Sequence, residues 1–339
     1  MGDQAMERRA ISIAYSHPSD KARLARLAEQ ANFQIVWNAG ESVAVFGAMA
    51  AATERTQVGS GVIRAFATDP RTLAQDCISL QEISGGRYIL GLGSGTKRHN
   101  INQLGKEFDH PATRIRELIQ FLRAVWATPG GQPVQFEGRY YQVSGTRLRA
   151  PRPGVTAPPT YLAAVNRSMF RLAGELCDGL CGHPIASVRF IEEVAWPSID
   201  EGLRRAGRTR ADFDHGSWIV TAISNDRKQA LRELKFHIGR FMATRSYAIV
   251  LDSQGLEPVR RAVQHAFFTY PDDVDRLVEA IPDDVAADHG IYGTPDDVRQ
   301  QAKRYAEVLD TPTFYCASAA MSPERVRENL LAMIETFGQ

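Results

Sequence analysis

Three glycine-bearing stretches of this 339-residue chain have the residue types and spacing to hold a flat or anionic ligand. Gly91-Leu-Gly93-Ser-Gly95 follows a short apolar run directly, as phosphate-cradling loops do. Its spacing is GxGxG, where a dinucleotide fingerprint needs GxGxxG, and Thr96-Lys-Arg-His-Asn-Ile-Asn after it is polar and loop-like with no helix opening. Lys97 follows Thr96, where a Walker A lysine follows glycine. Gly59-Ser60-Gly61-Val62 lies inside an apolar run, where glycine marks a bulge or the close approach of a backbone or ligand. Ala163-Ala-Val-Asn-Arg-Ser168 passes from a strand end into a helix start, so free N–H groups and Arg167 there could take a phosphate. Plainer alternatives stand beside these: a glycine turn at a strand end, and an Asn166 N-cap with a solvated Arg167. The four cysteines add no second chemistry. Cys177 and Cys181 fit neither a zinc knuckle nor a CxxC pair, and Cys77 and Cys316 stand alone, so buried free thiols in a reducing cytoplasm are expected.

The elements that must position these stretches follow from the alternation of short apolar and longer amphipathic runs. Strands are predicted over 10–15, 33–37, 57–63, 88–91, 161–165, 179–182, 217–222 and 313–317. Between them fall predicted helices over 20–30, 43–53, 70–84 (with Pro70 at its first turn), 113–127, 168–176 and 187–205, and a last one over 323–337 closes the chain. Strands separated by helices imply a parallel sheet. Eight of them in one chain without composition breaks predict a single-domain (β/α)8 TIM barrel with insertions over residues 1–339, ahead of a doubly wound open sheet. Two regions break the rhythm: a hairpin-like excursion with a proline-rich connector at about 130–157, and a polar helical insertion at about 227–310. In such a barrel the strand carboxyl ends form the active-site face, and the first two glycine stretches sit at such ends on neighbouring strands.

Composition narrows the partners. Forty Lys+Arg against 39 Asp+Glu leave a formal charge of +1, without the basic surplus that phosphate backbones need. No run approaches the roughly 20 apolar residues of a membrane span, and residues 1–9 lack the apolar core of a secretory signal. A small-molecule substrate is therefore expected, with no metal, nucleic acid or membrane. The Ala-rich helix over 43–53 offers a face for a homodimer. Tyr15, Trp37, Phe46 and Phe66 could wall a pocket for an apolar substrate, with core packing as the alternative for Trp37 inside its strand.

The stretch TQVGSGVIRAFATDPRTLAQDCISLQEISGGRYILGLGSG (56–95) resembles the luciferase-like flavin and deazaflavin oxidoreductase superfamily, with its strand, Pro-led helix and SGGRxxLGLGxG run. NFQIVW (32–37), YLAAVNRSMFRLAGELCDGLCG (161–182) and GTPDDV (293–298) carry the likeness over nearly the whole chain. The chain is most similar to actinobacterial members using the deazaflavin coenzyme F420, through the run from Pro158 to Gly179, that from His183 to Arg208, and KFHIGRF (235–241). The resemblance implies hydride transfer between F420 and an organic substrate. An FMN-dependent monooxygenase is the first alternative and a non-catalytic cofactor-binding barrel the second. It further implies a cis peptide at Gly61–Val62 backing the cofactor's central ring. Ser94, Gly95 and Thr96 would line its pyrimidine or ribityl side, and Ala164, Val165, Asn166 and Arg167 would approach its phosphate. One departure matters: many deazaflavin members end strand two with an Asp-His pair, and this chain has Asn38-Ala-Gly-Glu41-Ser42. The proton-handling residue is then expected at Glu41, or at His17 after strand one, whose imidazole has a suitable pKa range. Glu41 also suits a solvated carboxylate or helix N-cap partner, and His17-Pro18 a plain loop.

Overall fold

The computed structural model describes residues 8–40, 42–130, 132–149 and 152–338. Eight strands form a ring: β1 (Ala10–Ser12), β2 (Ile35–Asn38), β3 (Gln57–Ser60), β4 (Tyr88–Gly93), β5 (Thr160–Ala164), β6 (Gly179–Gly182), β7 (Asp214–Ile223) and β8 (Thr311–Cys316). They pair in sequence order, β8 returns to β1, and β7 bonds both β6 and β8, so the ring is closed. All of these pairings are parallel. Ring strands are covered on both faces, by helices outside and by one another's side chains inside, which is why they read as nearly continuous apolar runs. The interior is filled by aromatic side chains: Trp37 of β2 reaches across to Tyr161 of β5, and Trp218 of β7 packs on Tyr315 of the neighbouring β8. All eight predicted strands occupy the ring.

The differences have local causes. Gly91 and Gly93 belong to β4 itself and do not form a turn, because β3 passes too close for side chains. A Cβ on Gly91 would overlap the Ser60 carbonyl, and one on Gly93 would stand 2.7 Å from Val62 Cγ2. The chain of β3 breaks at Gly61 and resumes as Ile63–Arg64, still paired with β4. The region 130–157 contains an antiparallel hairpin, Pro133–Glu137 with Gln142–Arg147. Its turn is tied down by Glu117, whose carboxylate accepts the N–H groups of Arg139, Tyr140 and Tyr141. The helix predicted over 187–205 widens into a π turn at Ile191–Ala195, just ahead of Pro197, which has no N–H to donate.

The region 227–310 is not wholly helical. Besides helices Arg227–Met242, Glu257–Thr269 and Pro295–Ala306 it holds a strand, Ile291–Gly293, added parallel to β7 outside the ring. The sequence GTPDDV closes that strand and opens the next helix through a reciprocal cap between Thr294 and Asp297. The Ala-rich helix runs over Val43–Ala51 and packs between its neighbours Lys21–Gln30 and Pro70–Ser84. Among the described residues no helix is long and apolar enough to cross a membrane, and all four cysteines are buried and unpaired.

Candidate functional site

The three glycine-led loops meet at one end of the barrel. The Gly61–Val62 peptide is cis, and the Gly61 N–H donates to the Asn38 carbonyl at the end of β2 (2.9 Å). Ala65 donates to the Gly93 carbonyl (2.9 Å), and Arg64 bridges to the His99 ring, so the bulge is fastened to the loop after β4. That loop turns at Gly95, whose φ of +67° is unfavourable for other residues, and from Lys97 it winds into a helical turn, His99–Gln103 in π form, where the sequence reads as loop. The buried Asn100 amide holds it by donating to the Ser94 and Thr96 carbonyls, both at 2.9 Å. On the other side of β4, a Cβ on Gly93 would touch Ala163 at 3.4 Å, which brings the end of β5 and Ala164 alongside. Asn166 then caps helix Arg167–Leu176, its side-chain oxygen accepting from the Met169 N–H (3.1 Å) and Ser168 Oγ (2.7 Å). Its amide oxygen is thus occupied by the cap, while Arg167 is exposed.

The glycines of β3 have a cause the sequence does not display. A Cβ on Gly59 would overlap the Trp37 ring, and one on Gly61 would overlap Trp218. The space beside both is filled by the barrel's own indoles.

Above this mouth lies a cavity of about 990 Å³. Tyr15 from the loop after β1, Thr96 from the loop after β4 and Ala319 from the loop after β8 form its barrel side. The region 227–310 forms the rest, with His237 and Phe241 on one helix and Phe267 and Phe268 on another. His237 accepts the Ser318 and Ala319 N–H groups at Nδ1 (3.0 and 3.3 Å), so the neutral ring carries its proton on Nε2. That nitrogen is buried and has no partner among the described residues. Burial, then the nearby Arg240 cation, pushes the His237 pKa down to about 3. Beside it the buried Tyr315 hydroxyl donates to Tyr15, which leaves the Tyr15 proton free for another acceptor. Burial, with Tyr15 adjacent, holds Tyr315 well above the ordinary tyrosine range.

Of the two residues expected to handle a proton, Glu41 lies outside the described residues. His17 is exposed, does not line the cavity, and caps the turn Pro18–Asp20, with Nδ1 2.7 Å from Ser19 Oγ. Of the aromatic set, Tyr15 lines the cavity, whereas Trp37, Phe46 and Phe66 are buried in the core. Sequence reasoning passed over His237 and Arg240. The available signal was their i, i+3 spacing, with Phe241 one residue on, which puts all three on one helix face.

The residues at the mouth fit a flat, hydrogen-bonding ring. Asn38 Oδ1 and Trp218 Nε1, next to the cis bulge, are both buried and unpartnered among the described residues, an arrangement whose desolvation cost a ligand would relieve.

A closed parallel barrel whose large cavity opens at the strand carboxyl ends is the architecture of a (β/α)8 enzyme. The cis bulge, the glycine loop after β4 and the long region before β8 narrow that class. Residues 4–311 match the family described as luciferase-like monooxygenase, and the chain belongs to that family. An uncharacterised protein of Mycobacterium tuberculosis is 33% identical over 259 residues, covering 73% of this chain and 76% of the relative. An F420-dependent glucose-6-phosphate dehydrogenase of Amycolatopsis mediterranei is 26% identical over 310 residues, 86% of each chain. In structure, the coenzyme F420-dependent tetrahydromethanopterin reductase of Methanopyrus kandleri matches with a TM-score of 0.80 at 22% identity, over 96% of this chain and 97% of that one.

Proposed function

We propose that the chain acts as one barrel domain that transfers hydride between coenzyme F420 and a small organic substrate. The observation that carries this reading is the convergence of the Gly61–Val62 bulge, the Ser94–Thr96 loop and the Ala164–Arg167 turn at the strand ends, next to the cavity of about 990 Å³ that Thr96 lines. The F420-dependent relative supports it. When bound, the deazaflavin supplies or accepts the hydride, and the protein's part is position, dryness and a proton. Val62 and Ser94–Thr96 line the ring. The first N–H groups of helix Arg167–Leu176, with Arg167, take the phosphate. The helices carrying His237 and Phe267 shield the substrate from water. Tyr15, backed by Tyr315, donates a hydrogen bond to the substrate atom that gains negative charge.

Fluorescence titration of the purified protein with F420 and with FMN tests the cofactor. Saturable quenching by the protein of F420 alone is expected. FMN binding alone would give the monooxygenase reading, and binding of neither would remove the site. Tyr15→Phe is expected to slow hydride transfer about a hundredfold, the lower end of general-acid effects, with F420 affinity unchanged. Single-turnover decay of F420 absorbance measures this, and equal rates in variant and parent would discharge Tyr15 from the role.

A further inference from the structure

We infer that the substrate of this site is an organic anion with an apolar, preferably aromatic, body; the inference rests on the cavity above the barrel mouth being the substrate site. Four cations line that cavity, Lys97 and Arg98 from the loop after β4 and Arg240 and Arg245 from the region facing it, and no Asp or Glu does. None of the four has a carboxylate partner among the described residues. This is not the habit of the neighbouring surface. On the same helix as Arg240, Arg227 pairs with Asp297, Arg232 with Asp275 and Lys235 with Asp283. In a chain whose charges nearly cancel, four unpaired cations around one concavity make a positive potential that low-dielectric walls focus.

The apolar requirement comes from the rim. Among the described residues five large apolar side chains stand exposed, and three of them, Tyr15, Ile101 and Phe268, ring this cavity. Exposed apolar surface gathered in one place marks a binding site. Phe241, Tyr247 and Phe267 continue it inward. An aromatic carboxylate or phosphate matches both features, its head among the guanidinium groups and its body against the rings.

The cofactor also bears an anionic tail, so the experiment separates the two sources. Calorimetric titration of the cofactor-free protein with 2-naphthoate, 2-naphthol and 2-naphthylmethylammonium is expected to rank them in that order, naphthoate at least about tenfold tighter than naphthol. Replacing both exposed arginines (Arg240→Gln with Arg245→Gln) should abolish that preference while leaving naphthol binding unchanged. Failure of naphthoate to bind, or equal binding of the three probes, overturns the inference. In the same double variant, F420 and its tail-free 8-hydroxy-5-deazariboflavin core should bind as they do to the parent. Weakened F420 with unchanged core would assign the cations to the cofactor tail and overturn it as well. Naphthoate selectivity in a protein that binds neither F420 nor FMN would leave the anion site standing and remove the cofactor reading alone.

Discussion

Gly61→Ala is expected to destabilise the protein by about 2 kcal/mol or more, within the usual cost of overpacking a filled core, and to weaken F420 binding at least about tenfold. The new Cβ would overlap Trp218 Cζ2 and stand 2.7 Å from Cη2. Trp218 is buried and held between Gly61 and the Tyr315 ring at 4.9 Å, so it cannot give way without repacking. Either the indole or the bulge must move. The bulge carries Val62 and is anchored to Asn38 and Gly93, so its displacement reaches the cofactor face. Urea unfolding and F420 fluorescence titration read the two effects. Adding Trp218→Leu to the Gly61→Ala protein removes the obstacle and should restore more than half of the lost stability relative to Trp218→Leu alone. Loss of affinity at unchanged stability would instead mean that Gly61 makes room for the ligand and not for Trp218.

That expectation reverses part of what the sequence suggests, and the reason is instructive. Glycine inside an apolar run announces a close approach, but not of what. At Gly59 and Gly61 the approaching groups are Trp37 and Trp218, and Trp218 lies 157 positions along the chain from Gly61 on the opposite side of the ring. The barrel was legible because each ring strand is a buried apolar run followed by a helix. β7 is longer than its apolar run because the Asp214 side chain and the His215 backbone are buried polar groups satisfied at long range, while His215 Nδ1 is buried without a partner among the described residues. Asp214 accepts from Tyr161 and Thr311 and pairs with Arg8, and the His215 N–H finds Asp310. Ile291–Gly293 was illegible since three residues are too few to show a period. The same limit hid His237. Its helix reads as a polar insertion, and the N–H groups that fix its tautomer belong to Ser318 and Ala319, about 80 residues further along the chain and beyond β8.

Stability is expected to fall steeply as pH drops from about 6.5 toward 4, before most carboxylates titrate. His215 and His237 are buried and His183 is partly buried, and the loss of hydration pushes each pKa down to about 3; cations at Arg210 and Arg240 add to it for the first two. His289 shifts in the same direction. An unfolded histidine titrates near 6.5. Between these values the unfolded chain binds protons that the folded chain refuses, so stability is complete above about 6.5 and is lost as pH falls through the window. Each such proton contributes a slope of about 1.4 kcal/mol per pH unit, and three give about 4. A stability on the order of 10 kcal/mol would then be exhausted within two to three units. His183 and His237 both pack against Phe241, at 5.2 and 5.4 Å between ring centroids, so their protonation strikes the helix that walls the cavity. Loss of ligand binding should therefore precede loss of the barrel. Unfolding free energies measured from pH 8 to pH 4 give the slope. His237→Gln, which keeps an acceptor for Ser318 without a titrating ring, should reduce that slope by about a third; an unchanged slope would show that His237 takes up its proton without unfolding.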